Sequence, residues 1–132
     1  MAQQQPMEII LLRQWAGYVA TSVYITDDEG ALVYYNQEAA DRIGVPFEDV
    51  GEIPAEKLAE LFATTGPNGE SIPNDELPLM IALTKRIPAH RSMQVKVLDG
   101  SSLQVEVTAL PIVAQSGRLL GGVVFSWEVD DE

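Results

Sequence analysis

The stretch that decides the fold is Val23-Tyr24-Ile25-Thr26-Asp27-Asp28-Glu29-Gly30-Ala31-Leu32-Val33-Tyr34-Tyr35-Asn36. Thr21 to Thr26 and Ala31 to Tyr35 are short and rich in β-branched and aromatic residues, as strands require. Asp27-Asp28-Glu29-Gly30 between them is an acidic turn, and a glycine at its end can take the positive φ that a tight hairpin needs. Asn36 then stands before Gln37-Glu38-Ala39-Ala40-Asp41-Arg42-Ile43, a helical stretch whose free backbone N–H groups its amide oxygen can cap. Gly44-Val45-Pro46 ends that helix.

On the N-terminal side, residues 1–6 are Gln-rich and expected to be disordered. Residues 7–18 read as an amphipathic helix, with Ile9, Leu11, Leu12 and Trp15 at helical spacing and Gly17 as its stop. On the C-terminal side, Pro54 to Phe62 reads as a second helix, with Leu58, Leu61 and Phe62 as its apolar face. Thr64 to Pro73 holds two glycines and two prolines and reads as loop. A further helix is expected from Asn74 to about Arg86, its acidic start opposing the helix dipole, with Pro78 tolerated in the first turn.

The last third is strand and turn. Met93, Val95 and Val97 alternate with Gln94 and Lys96, and Asp99-Gly100 is a hairpin signal. Leu103, Val105, Val107 and Ala109 alternate with Gln104, Glu106 and Thr108. Pro111 closes the ladder on one side, and Gln115-Ser116-Gly117 turns the chain into a final strand, Leu119 to Val129. That strand is apolar on both faces and is expected to be central. The order predicts an α+β domain: an antiparallel sheet with helices on one face.

At this point the sequence resembles the PAS family over about residues 20–129. The opening hairpin with its Asp-x-x-Gly turn and closing Asn36 carries the likeness. So do Ala39, Ala40, Ile43 and Gly44 in the first helix, and Asp75-Glu76-Leu77-Pro78-Leu79 with Ala82-Leu83 before the last strands. Leu98-Asp99-Gly100 and Gly117-Arg118-Leu119-Leu120-Gly121 resemble the family's closing turns, and Glu128 stands where an Asp is common. The resemblance implies a five-stranded antiparallel sheet of order 2-1-5-4-3, with helices over one face enclosing a small cavity; outside it, the helix over 7–18 is expected to cap the domain, and 130–132 reads as an acidic tail. It also implies a sensory or regulatory role with an effector domain or protein as output, and it names no ligand.

Within that frame, alternation places Met93, Val95, Val105, Val107 and Ala109 toward the cavity. Met80 and Leu83 are expected to line it from the helix, Val124 and Ser126 from the last strand, and Tyr24 and Thr26 from the first. Tyr24, Thr26 and Ser126 are the polar handles of an otherwise apolar pocket. The helix residues Ile9, Leu11, Leu12 and Trp15, with Phe125 and Trp127 on the other sheet face, form an apolar surface too wide to stand alone. It covers the chain's own sheet or meets a second copy; a homodimer is the expectation carried forward.

Composition narrows the chemistry. A net charge of −12 argues against nucleic acid or an anionic membrane as partner. The charge is uneven: from Asp27 to Glu76 thirteen acids face two bases, Arg42 and Lys57. With no cysteine, disulfides, thiolate nucleophiles and a cysteinyl–flavin adduct are all excluded. No apolar run approaches the roughly 20 residues of a membrane span, and the N-terminus lacks a basic n-region. A cytoplasmic location follows as the expectation. His90 is the sole histidine and thus the one candidate haem ligand, but it is read as lying in the loop after Pro88, without a partner. No nucleophile–base pair and no calcium-loop pattern is present, so a non-catalytic module is expected. The alternatives are a pure protein-interaction module without ligand and a haem- or flavin-binding sensor.

Overall fold

The computed structural model of the chain describes residues 6–54, 57, 64–96 and 102–129. The opening hairpin pairs β1 (Ser22–Asp27) with β2 (Leu32–Tyr35), Tyr24 opposite Tyr35. Its turn is closed by Asp27, whose carboxylate accepts from the amides of Glu29 at 2.9 Å and Ala31 at 3.0 Å. Gly30 takes a φ of 88°, which the sterics of a Cβ would oppose.

Asn36 is 2% exposed and joins three elements. Its Oδ1 accepts from Ala39 N at 3.1 Å, capping α2 (Gln37–Ile43), and from Val23 N in β1, also at 3.1 Å. Its Nδ2 donates to the carbonyls of Ala16 at 3.0 Å and Thr21 at 2.9 Å, tying down the end of α1 (Met7–Ala16). Helix α1 stops two residues short of the expected Tyr18, with Gly17 as its C-cap.

After α2 the chain forms a one-turn helix, α3 (Phe47–Val50), that the sequence reading did not anticipate. Phe47 explains it: its ring meets Tyr34 and Tyr35 edge-on at 5.5 and 5.4 Å. Of the helix expected over 54–62, all but Pro54 and Lys57 lie outside the described residues, as do the Asp99-Gly100 turn, residues 1–5 and the tail at 130–132. Thr64–Thr65, expected in a loop, form a two-residue strand β3 that pairs with Gln94 and Val95.

The helix expected from Asn74 is broken. Asn74–Glu76 is a single 3-10 turn, Leu77 is extended at ψ 138°, and α4 spans Pro78–Lys85. Proline crowds the residue before it out of helical backbone, so Leu77 cannot continue a helix into Pro78. The acidic residues therefore precede α4 rather than sit in its first turn.

Strands β4 (Ala89–Lys96), β5 (Ser102–Val113) and β6 (Leu119–Glu128) complete an antiparallel sheet of order β2-β1-β6-β5-β4-β3. Without the short edge strand β3, the five long strands stand in the expected order. Strand β6 is central, flanked by β1 and β5. Pro111 lies where β5 has run past the end of β4 and pairs only with β6, so its missing N–H leaves no gap between strands.

Register sorts the faces. Val124 stands between Tyr24 and Ala109, and Ser126 between Ser22 and Val107. These face α4 and α2. On the opposite face Ile9 and Ala16 of α1, with Leu12 beside them, pack on Val23, Ile25, Val33 and Val123. Of the residues expected at a subunit interface, Ile9 is thus buried against its own sheet, and Leu12 is half-buried there. Leu11 and Trp15 are exposed, Trp15 standing edge-on to Phe125 at 5.8 Å, and Trp127 is exposed at the end of β6.

Candidate functional site

The inner sheet face and the start of α4 enclose a cavity of about 200 Å³. Seven of the residues expected to line it do so: Tyr24, Thr26, Met93, Val95, Val107, Val124 and Ser126. Three do not. Val105 is fully buried in the core beside Met93 and Val107. Leu83 packs over Gly122, its Cδ2 3.3 Å from where a methyl there would sit. Met80 is half-buried outside the lining. The two helix positions, Met80 and Leu83, follow from the later start of α4, which brings Leu77, Pro78 and Leu79 to the cavity in place of the second turn.

The sequence reading also missed Leu32 and Arg42. Arg42 could have been found. It is the one base in α2, three residues after buried Ala39 and next to buried Ile43, in a segment otherwise crowded with acids.

The polar residues gather at one end. The Arg42 guanidinium donates to Ser126 Oγ in a short contact, bridging α2 to the central strand across 84 residues. The Tyr24 phenol joins the same group. Its pKa is raised, chiefly by burial, while Arg42 and hydrogen bonds to Ser126, Arg42 and Ser22 pull against that rise. Thr26 is already used, donating to the Asp27 carbonyl at 3.0 Å. The remaining lining is apolar, so the site combines an apolar body with a single charged corner.

His90 is in β4, not in a loop, and it is partnered. Thr108, opposite it on β5, lies 2.6 Å from Nδ1, and Glu106 lies 2.6 Å from Nε2. With a neutral ring both are hydrogen bonds only if Nε2–H donates to Glu106 and the Thr108 hydroxyl donates to Nδ1. Glu106 also accepts from Ser92 Oγ at 2.5 Å; that bond first, and His90 second, hold its carboxyl below the ordinary range. The group, with the Trp127 ring 5.9 Å from His90, lies on the outer face of the sheet. His90 therefore cannot ligate anything held in the cavity.

No protein-family model and no curated protein matches the chain. Solved structures do. It is similar to the PAS domain of Bordetella pertussis BvgS, at 17% identity over 94% of this chain and 87% of that one, TM-score 0.62. It is similar to the PAS domain of nitrogen regulation protein NR(II) from Vibrio parahaemolyticus, at 22% identity over 90% and 98%, TM-score 0.62. A light-oxygen-voltage domain studied with a flavin analogue superposes with TM-score 0.68, at 15% identity over 94% and 86%. At such identities it is the path of the backbone that is shared, and the order of strands with its covering helices goes with it: the chain folds as a PAS domain.

Proposed function

We propose that the chain is a non-catalytic, cytoplasmic sensory domain that binds a small molecule in the cavity and passes the occupancy on through α1 and β6 to a second copy and an effector. The observation that carries this reading is the cavity itself: an apolar chamber between the sheet and α4 with Tyr24, Arg42 and Ser126 grouped at one end. A ligand there touches β6 from the inside, while α1 rests on the same strand from the outside. Differential affinity for two packings of α1 then shifts their populations. The exposed residues Leu11, Trp15 and Trp127 are the surface on which a second copy would settle. Among the described residues no helix is long and apolar enough to cross a membrane.

A melting-temperature screen of small carboxylates, amides and aromatic compounds tests the reading. A concentration-dependent rise is expected for at least one class, and a flat response across all classes overturns it in favour of a pure interaction module. A haem or flavin sensor fits the residues less well. The only histidine is on the far face of the sheet. Among the described residues the lining has no Asn or Gln to read a flavin edge, and the chain has no cysteine for an adduct. At about 200 Å³ the cavity is also below the roughly 300–1,000 Å³ of ordinary ligand pockets.

A further inference from the structure

Among the described residues that line the cavity, Arg42 brings the one formal charge. A guanidinium has five N–H donors and no acceptor. Its partners here are the hydroxyl of Ser126 and the phenol of Tyr24, both neutral. Glu38, Asp41 and Glu128 line a groove on the other side of Arg42, yet among the described residues none of them forms an ion pair with it. Among the described residues the cation thus stands at the edge of an apolar chamber without an ion-pair partner, and its part-buried side favours an anion on the cavity side.

We propose that the cavity takes a monocarboxylic acid with a compact apolar body, its carboxylate bound by the Arg42 guanidinium beside Ser126 and Tyr24. The inference rests on the sensing role above and names the ligand class. Among the described residues no carboxylate lines the chamber, so a cationic ligand meets Arg42 as a like charge. A neutral ligand leaves the guanidinium uncompensated. The planar fork of arginine matches the two oxygens of a carboxylate in a bidentate contact. A phosphate dianion would leave one negative charge over, since a single arginine is present. Size sets the rest. About 200 Å³ is the room of roughly seven liquid waters at ~30 Å³ each, which suits one aromatic ring or a short alkyl chain. Met93, Val107 and Val124 supply the apolar walls for that body.

Calorimetric titration of the full chain with phenylacetate and hexanoate, each against its neutral primary amide, tests this. Each acid is expected to bind at least about tenfold tighter than its amide. Arg42→Gln should erase that difference while leaving amide affinity in place, and Arg42→Lys, which keeps the charge, should retain a preference for the acid. Unchanged amide binding shows that the variant cavity is intact. Amides that bind wild type as tightly as acids overturn the carboxylate assignment while the sensing role stands. So does an acid preference that survives Arg42→Gln. If none of the four probes binds, the assignment is also overturned, and the broader melting screen decides the sensing role separately.

Discussion

The side-chain amide of Asn36 donates at 3.0 Å to the carbonyl of Ala16, twenty residues earlier, and so fastens the last turn of α1 to the point where β2 becomes α2. The same side chain caps α2 and bonds β1. The outer helix and the inner helix thus share one buried hinge-pin.

Asn36→Asp isolates the donor half of this arrangement. The acceptor oxygens survive, so the α2 cap and the Val23 bond persist. Carboxylate oxygens now face the carbonyls of Ala16 and Thr21, replacing two donors with repulsion. A loss of roughly 2–4 kcal/mol is expected in urea unfolding, with α1 amides losing hydrogen-exchange protection ahead of the sheet. Equal loss of protection in α1 and β6 would contradict the role assigned to Asn36.

Gly121 and Gly122 are neighbours with opposite tolerance. A methyl on Gly121 would sit 2.1 Å from the Thr26 carbonyl oxygen, which is backbone and cannot retreat. On Gly122 it would sit 2.9 Å from Leu79 Cδ1, the movable end of a side chain. Gly121→Ala should therefore cost about 3 kcal/mol or more, and Gly122→Ala about 1 kcal/mol, by denaturant midpoint.

Alkaline stability should fall through Tyr24. Its phenol holds its proton above the ordinary value of 10.0 because it is buried. Between the unfolded and folded values the native state binds the extra proton, so stability is complete below pH 10 and declines as pH rises through the folded value. The melting temperature of wild type should drop more steeply above pH 10 than that of Tyr24→Phe. Parallel curves would remove Tyr24 from the account.

Leu11→Glu tests the second copy. The side chain is 56% exposed within one chain, so monomer stability should change by no more than about 0.5 kcal/mol. If the exposed ridge of α1 is the contact between copies, sedimentation should show a dimer converted to monomer. An unchanged oligomeric state would dismiss this ridge as the interface.

Much of the fold was legible because its signals are local. The hairpin, the Asn36 cap and the alternation of β5 each act within a few residues, and their periods survive in the sequence. His90 was misplaced because strand β4 begins where Ala89 and His90 find Ala109 and Thr108, a pairing between distant segments. Thr64–Thr65 are too few to show a period at all. At the site, alternation gave the right face for the strand positions, although Val105 and Ala109 on that face are packed in the core and do not line the cavity. Positions on α4 were not legible, because the break at Leu77 moved the start of the helix and changed which turn reaches the cavity. Reading the Leu77-Pro78 step by its backbone restriction would have corrected both.

Ser126 and Trp127 are consecutive in β6, and their side chains leave the sheet on opposite sides. The chain has two tryptophans, Trp15 and Trp127, and neither lines the cavity. Any change in their fluorescence when the chamber fills must therefore have crossed the strand, since no contact with a bound molecule could quench them directly. The protein carries its own optical gauge of transmission, needing no label.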